Sequence, residues 1–128
     1  MADYILVIGY GDAGRDAVNA VLEAQPDARL TVLDTDFLAV AEAVANGAVG
    51  VVGDGRDRCA LDDAAVDAAD RVFITVPDDL ASFLIMRAVR TMNPDAVIVV
   101  VIREPENHGL FDSYDVTSVH IRRFDEQQ

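Results

Sequence analysis

The chain reads as an α/β protein built on a doubly wound, six-stranded parallel sheet in the order 3-2-1-4-5-6. Three observations predict this. Short β-branched runs alternate with helical stretches along the whole length, a helix falls between each consecutive pair of strands, and the first strand runs straight into a glycine-rich turn. Strands separated by helices are joined by right-handed crossovers, which makes the sheet parallel and covers it with helices. Reversal of strand order between the two halves then opens a crevice above the carboxyl ends of strands one and four.

Each element has its own justification. Tyr4 to Ile8, closed by Gly9, is an unbroken apolar run and so a buried strand. From Asp12 to Ala24 the spacing shifts to three and four, with Ala13, Ala17, Val18, Val21 and Leu22 in register, and Gln25-Pro26-Asp27 stops the helix. Leu30 to Leu33 is the second strand and Phe37 to Ala45 the second helix, ended by Asn46-Gly47. Val49 to Val52 is a short third strand, Leu61 to Ala69 a short helix, and Val72 to Val76 the fourth strand. Pro77-Asp78-Asp79 breaks the chain and caps a longer helix running to about Met92, which Asn93-Pro94 terminates. Val97 to Ile102 is the fifth strand, Glu106 to Asp112 a weaker helix, and Val116 to Ile121 the sixth strand. Residues 1–122 are expected to form one domain and 123–128 a polar tail, since 128 residues leave little room for a second core.

Charge narrows the functional classes. There are eighteen Asp, five Glu, ten Arg and no Lys, for a net charge of −13. The 52% of hydrophobic residues is enough to bury a core, which excludes an acidic disordered tail. Non-specific nucleic-acid binding and a basic membrane-surface patch both need an excess of cations that is missing. The longest apolar run, Ala96 to Ile102, is too short to span a bilayer, and the start carries no basic or apolar signal region. A cytoplasmic chain without direct membrane insertion is expected. The single Cys59, expected to be buried or semi-buried, cannot form an intrachain disulfide and fits a reducing compartment. The acidity suits either an ordinary soluble protein or a halophilic one, and the absence of Lys favours the second. At 1 M salt the Debye length is about 3 Å, so repulsion among carboxylates is screened.

One constellation carries chemistry. Gly9-Tyr10-Gly11-Asp12-Ala13-Gly14 is a G-x-G-x-x-G that follows a predicted strand and opens a predicted helix. Gly9 permits the turn, Gly11 lets the backbone approach a pyrophosphate, and Gly14 lets helix and strand pack closely. Asp34 stands twenty residues beyond Gly14 at the end of strand two, where a carboxylate accepts ribose hydroxyls and repels a 2′-phosphate. NAD or an adenine nucleotide is therefore favoured over NADP in this Rossmann-like context. The alternative is a strand-turn-helix whose glycines serve packing alone. Asp36 is either a second ribose contact or a helix cap, and Gly53-Asp54-Gly55 either borders an adenine or is a plain turn. Asp12 opposes an anion inside the phosphate loop; Arg15 either offsets it or pairs with Asp12 or Asp16.

Catalytic machinery is not apparent. A P-loop lysine and a G-x-S-x-G elbow are absent, and His108 and His120 stand far apart with no ligand cluster at zinc spacing. Asp62-Asp63 and Asp78-Asp79 are explained by helix N-termini, so neither catalytic nor metal-binding residues are assigned. A hydride-transferring enzyme also needs a second wall to hold its substrate against the cofactor. The reading is a nucleotide sensor rather than an enzyme, with a small NAD-dependent oxidoreductase, or a fragment of one, as the alternative. Leu80 to Val89 is apolar nearly all round, with only Ser82 and Arg87 polar. Such a helix buries two sides, one on the sheet and the other either against a further subunit or under neighbouring elements of its own chain.

The ordered motifs resemble the RCK N-terminal domain, also called TrkA-N, of the regulators of potassium conductance. The matching segments are Ile8 to Arg15, Val32 to Asp36, Val52 to Gly55, Ala69 to Asp79, Met92-Asn93-Pro94 and Arg103 to Asn107. The two aspartates after strand four and the later N-P and E-P-E-N strings are more specific than the glycine turn. The resemblance implies a cytosolic regulator of a potassium channel or uptake transporter that binds NAD(H) or ATP/ADP. It further implies assembly into a homodimer or higher ring and attachment to a membrane-embedded transport subunit. The binding set it implies is Gly9, Tyr10, Gly11, Asp12, Ala13, Gly14, Asp34, Thr35, Asp36, Gly53, Asp54, Gly55 and Val76. Ser82 and Val101 depart from the family pattern, which often has Asn at the first and a basic residue at the second. The crossover helix and C-terminal lobe of full modules lie outside this sequence, which is expected to be either a stand-alone half-module or a fragment, so swapping and C-lobe sensing are not carried over.

Overall fold

The computed structural model describes residues 2–120. Six parallel strands, β1 (Tyr4–Ile8), β2 (Arg29–Asp34), β3 (Val49–Val52), β4 (Arg71–Ile74), β5 (Val97–Ile102) and β6 (Thr117–His120), form one sheet in the order β3-β2-β1-β4-β5-β6. The fold class and strand order are those the sequence predicts. Residue 121, expected to end the sixth strand, and the expected tail lie outside the described residues.

Period-two alternation divides the central strands between two cores. Ile5 and Val7 of β1 and Val32 of β2 pack beneath α1 (Asp12–Ala24) and α2 (Phe37–Ala45), together with Val18, Val21 and Ala43. Tyr4, Leu6, Ile8, Leu33, Val72 and Ile74 face the other side, where α3 (Arg58–Asp63) and α4 (Asp79–Met92) supply Leu61, Ile85, Met86 and Val89. Both faces of β1 are therefore dry, as its unbroken apolar run requires.

Three of the four α-helices start on an aspartate cap. Asp36 accepts from Leu38 N, Asp57 from Cys59 N and Asp78 from Leu80 N, each at 2.9 Å. Helix α1 starts on Gly11 with no side-chain cap. The expected helix 61–69 is replaced by α3 and a 3₁₀ turn, Val66–Ala68. Capping by Asp57 starts it earlier, and Ala65 at φ 54° breaks it so that Val66 can enter the core. The weak helix expected at 106–112 is a 3₁₀ helix, Pro105–Leu110.

Of the two expectations for the second side of α4, its own neighbouring elements account for one flank. Ser82, read as one of its two polar exceptions, is fully buried and donates toward Val76 O at 3.5 Å. A second flank meets the chain itself, where the Phe83 ring stands edge-on to Phe111 and Tyr114 at centroid distances of 5.8 and 5.7 Å. What remains open is Leu80, 61% exposed, and Leu84, 40% exposed. Cys59, expected to be at least half-buried, is exposed because it sits on the outer side of the first turn of α3.

Candidate functional site

The strand order reverses between β1 and β4, and a cleft of about 440 Å³ opens there above their carboxyl ends. Its floor is the turn between β1 and α1. Gly9, at φ 99°, donates its N–H to Leu33 O at 2.8 Å, and its carbonyl accepts the Thr75 hydroxyl at 2.8 Å. A Cβ on Gly14 would lie 2.0 Å from Gly9 O, so only glycine lets α1 start this close to the strand. Gly11 differs: it lines the cleft, and a Cβ there would meet nothing within 4 Å. The uncapped first turn of α1 leaves N–H donors and the positive end of the helix dipole directed at this space.

Asp34 is fixed by the same turn. Its Oδ2 accepts from Tyr10 N at 2.7 Å and its Oδ1 from Asp36 N at 2.9 Å. Each oxygen keeps acceptor capacity for a further donor. Tyr10 contributes main chain alone, since its ring is buried beneath the Arg15 guanidinium 5.3 Å away and its hydroxyl accepts from Asn46 Nδ2. Of the two expectations for Arg15, pairing with Asp12 is met as a 3.6 Å ion pair, while its hydrogen bond goes to Glu42 on α2. That bond, with the Glu42 and Asp12 charges, raises the Arg15 pKa, and the same bond with the Arg15 charge lowers that of Glu42.

Ten of the thirteen sequence candidates line the cleft: Gly9, Tyr10, Gly11, Asp12, Asp34, Thr35, Gly53, Asp54, Gly55 and Val76. Ala13, Gly14 and Asp36 do not; Gly14 packs behind the turn and Asp36 caps α2. Asp54 is committed to Arg56, whose Nη2 reaches Oδ2 at 2.7 Å while Nε lies 3.1 Å from Oδ1. The Arg56 side-chain hydrogen bond, followed by its backbone N–H, holds the Asp54 carboxyl below the usual carboxylate range.

Sequence reasoning missed Thr75 and Arg103. Arg103 follows β5, donates from Nη2 to Thr75 O at 3.1 Å, and its Nε is the one buried side-chain polar atom without a partner among the described residues. Its position just past the carboxyl end of a strand was the available signal. Val101, where the family often has a basic residue, is a buried residue of β5.

Asp79 is no second cap. It is 6% exposed and accepts from Arg103 N at 2.8 Å, Glu104 N at 2.9 Å and Asn107 Nδ2 at 2.8 Å. Burial pushes its pKa up, but the hydrogen bonds from Asn107, Arg103 and Glu104 outweigh burial and hold it below the ordinary value. The second of the paired aspartates, Asp79, and the E-P-E-N string thus form one brace beside the cleft that holds the Arg103 main chain, while Asp78 caps α4. Asn93 makes a second brace, donating to Val66 O and Ala69 O while accepting from Asp95 N and Ala96 N. Among the described residues no three His, Cys, Asp or Glu side chains gather to hold a metal, and no helix is long and apolar enough to cross a membrane.

The model of the TrkA-N domain family matches residues 5–121. No curated protein matches the chain by sequence. Among solved structures, the TrkA-N domain of inner membrane protein YbaL from Escherichia coli superimposes with a TM-score of 0.84 at 20% identity, covering 99% of this chain and 92% of that one. The Kef CTD of Shewanella denitrificans in AMP-bound form gives 0.73 at 17% identity, covering 98% and 74%. The GsuK channel bound to NAD gives 0.78 at 20% identity over 93% of this chain, which spans only 21% of the channel chain. At these identities the likeness is one of fold.

Proposed function

The chain belongs to the TrkA-N domain family, and from that premise we propose that it is a nucleotide-sensing regulatory domain or subunit of a potassium channel or potassium uptake transporter. The observation that carries this reading is the convergence on one cleft of an uncapped helix N-terminus, a pre-positioned carboxylate and a sheltered guanidinium. The ligand is an adenine nucleotide of the NAD(H) or ATP/ADP class. Its phosphates lie against the Gly9 to Gly14 turn, with amides of Gly11, Asp12 and Ala13 as donors and Arg103 as the cation. Asp34 takes the ribose hydroxyls, and a 2′-phosphate would meet its charge. Thr35 and the Gly53 to Gly55 turn border the base, with Val76, Ala81 and Ile85 as apolar wall. Asp36 and Asp54 contribute less, since each is already engaged. The NAD held by the GsuK channel and the AMP held by the Kef CTD support the ligand class.

Regulation follows from differential affinity: a ligand that binds two assembly states unequally shifts their populations, and one that binds both equally shifts nothing. The assembly is a homodimer or higher ring formed through the exposed Leu80 and Leu84 of α4, attached at the cytoplasmic face to a membrane-embedded transport subunit. Calorimetric titration of NAD⁺, NADH, AMP, ADP and ATP in molar KCl tests the reading. At least one is expected to bind, and Asp34→Ala, verified as folded, is expected to weaken it by roughly tenfold or more, as loss of a charge-assisted hydrogen bond implies. Binding by none, or unchanged binding in Asp34→Ala, overturns it.

A further inference from the structure

We infer that the cleft discriminates by phosphate count, favouring an adenine nucleotide with one phosphate or a diester pyrophosphate over a triphosphate, and that Asp12 is the specificity-determining residue. The inference rests on the nucleotide reading above. Four carboxylates and two guanidiniums line the cleft: Asp12, Asp34, Asp54 and Asp78 against Arg56 and Arg103. Arg56 is neutralised by its paired contacts to Asp54, and Asp78 caps α4. Among the described residues, the cationic side chain in the cleft that is in no salt bridge is therefore Arg103, with its unpartnered Nε; the Asp79 carboxylate feels its charge but is held by other donors.

Asp12 stands at the first helical position of α1, beside the donors that receive phosphate. Its side chain is fully exposed, and Arg15, the one nearby cation, gives its closest contact to Glu42 instead. The helix terminus offers about half a positive charge, and Asp12 opposes it with a full negative one. A single phosphate or a diester is served by the amides and Arg103. Each phosphate beyond that adds negative charge next to Asp12 with no further unpaired cation lining the cleft among the described residues, so a triphosphate is penalised by like-charge repulsion.

The penalty is electrostatic between solvent-exposed groups and so must fade with salt, as the Debye length shortens to about 3 Å at 1 M. Competitive calorimetry of AMP, NAD⁺ and ATP without divalent cations, in dilute and in molar KCl, tests this. ATP is expected to bind roughly tenfold more weakly than AMP in dilute salt, the size of one modestly screened charge contact, and the gap is expected to narrow in molar salt. Asp12→Asn and Asp12→Ala are both expected to narrow it in dilute salt, acting on ATP more than on AMP. ATP binding as tightly as AMP in dilute salt, or a ratio untouched by salt and by both variants, overturns the inference and leaves the nucleotide reading standing. Binding of no nucleotide overturns both.

Discussion

Gly14→Ala is expected to destabilise the protein through a single backbone contact. The added methyl would sit 2.0 Å from Gly9 O, 2.9 Å from Gly9 C and 3.1 Å from Thr75 Oγ1. Real Cβ atoms stop short of 3.0 Å, so α1 would have to retreat by about 1 Å. The opposing group cannot give way, because Gly9 is held by its N–H to Leu33 and by the Thr75 hydroxyl on its carbonyl. Overpacking of this kind costs about 1–3 kcal/mol, here at the upper end because the neighbour is main chain. Alanine's better helix propensity returns up to about 1 kcal/mol, leaving roughly 2 kcal/mol. For a domain of this size that lowers the melting temperature by roughly 6–10 °C. Gly11→Ala is the control: its methyl meets nothing and its φ of −84° suits any residue, so stability is expected to change by no more than about 1 kcal/mol. That methyl would nonetheless occupy the cleft and weaken nucleotide binding. Thermal unfolding by circular dichroism and calorimetric titration separate the two effects. A Gly14→Ala protein that melts with the parent, or a Gly11→Ala protein destabilised as much as Gly14→Ala, would refute the division of roles.

Four other outcomes follow. Asp79→Ala strands three donors and is expected to cost about 3 kcal/mol in urea unfolding. Because the folded pKa of Asp79 lies below its unfolded one, this contribution is fully present above the unfolded carboxylate value of about 3.9 and drains as pH falls through the folded value. The stability gap between parent and variant should therefore be flat near neutrality and close in acid. Asn93→Asp would turn a carboxylate toward Val66 O and Ala69 O, and a loss of at least about 2 kcal/mol is expected; a loss near zero would contradict the brace. Leu80→Glu with Leu84→Glu should leave melting unchanged within about 0.5 kcal/mol while dissociating any homo-oligomer seen by light scattering. Melting temperature should rise into molar KCl, and indifference to salt would remove the halophilic reading.

The fold was legible because its signals are local. Unbroken apolar runs mark strands dry on both faces, Asp36 and Asp78 announce helix starts, and Pro26 and Pro94 follow helix ends. Expectation failed where tertiary packing overrode pattern. The apolar spacing from Leu61 to Ala69 continues smoothly, yet the helix breaks at Ala65, whose φ of 54° no alanine advertises. The break lets Val66 turn into the core at full burial. Cys59 went wrong for a related reason: hydrophobicity says nothing about which side of a short helix faces the sheet.

The site divides along the same line. Gly9, Gly11, Gly14 and Asp34 could be read because one strand-turn-helix unit and its neighbouring strand bring them together. Asp79 with Asn107, and Asn93 with Val66, are separated by 28 and 27 positions, and nothing short of the sheet order brings them together. That is why the strings most specific to the resemblance were recognisable while their purpose was not. They hold β5, α4 and the loop after β5 in place, and Arg103 enters the cleft only because they do. The consequence reaches back to composition. A net charge of −13 excludes surfaces that need many cations, but it is compatible with the proposed binding of an anion through main-chain amides and one braced arginine. On the inference drawn above, the acid excess would act on that cleft as a filter on how much negative charge can enter, with the fully exposed Asp12 at its mouth.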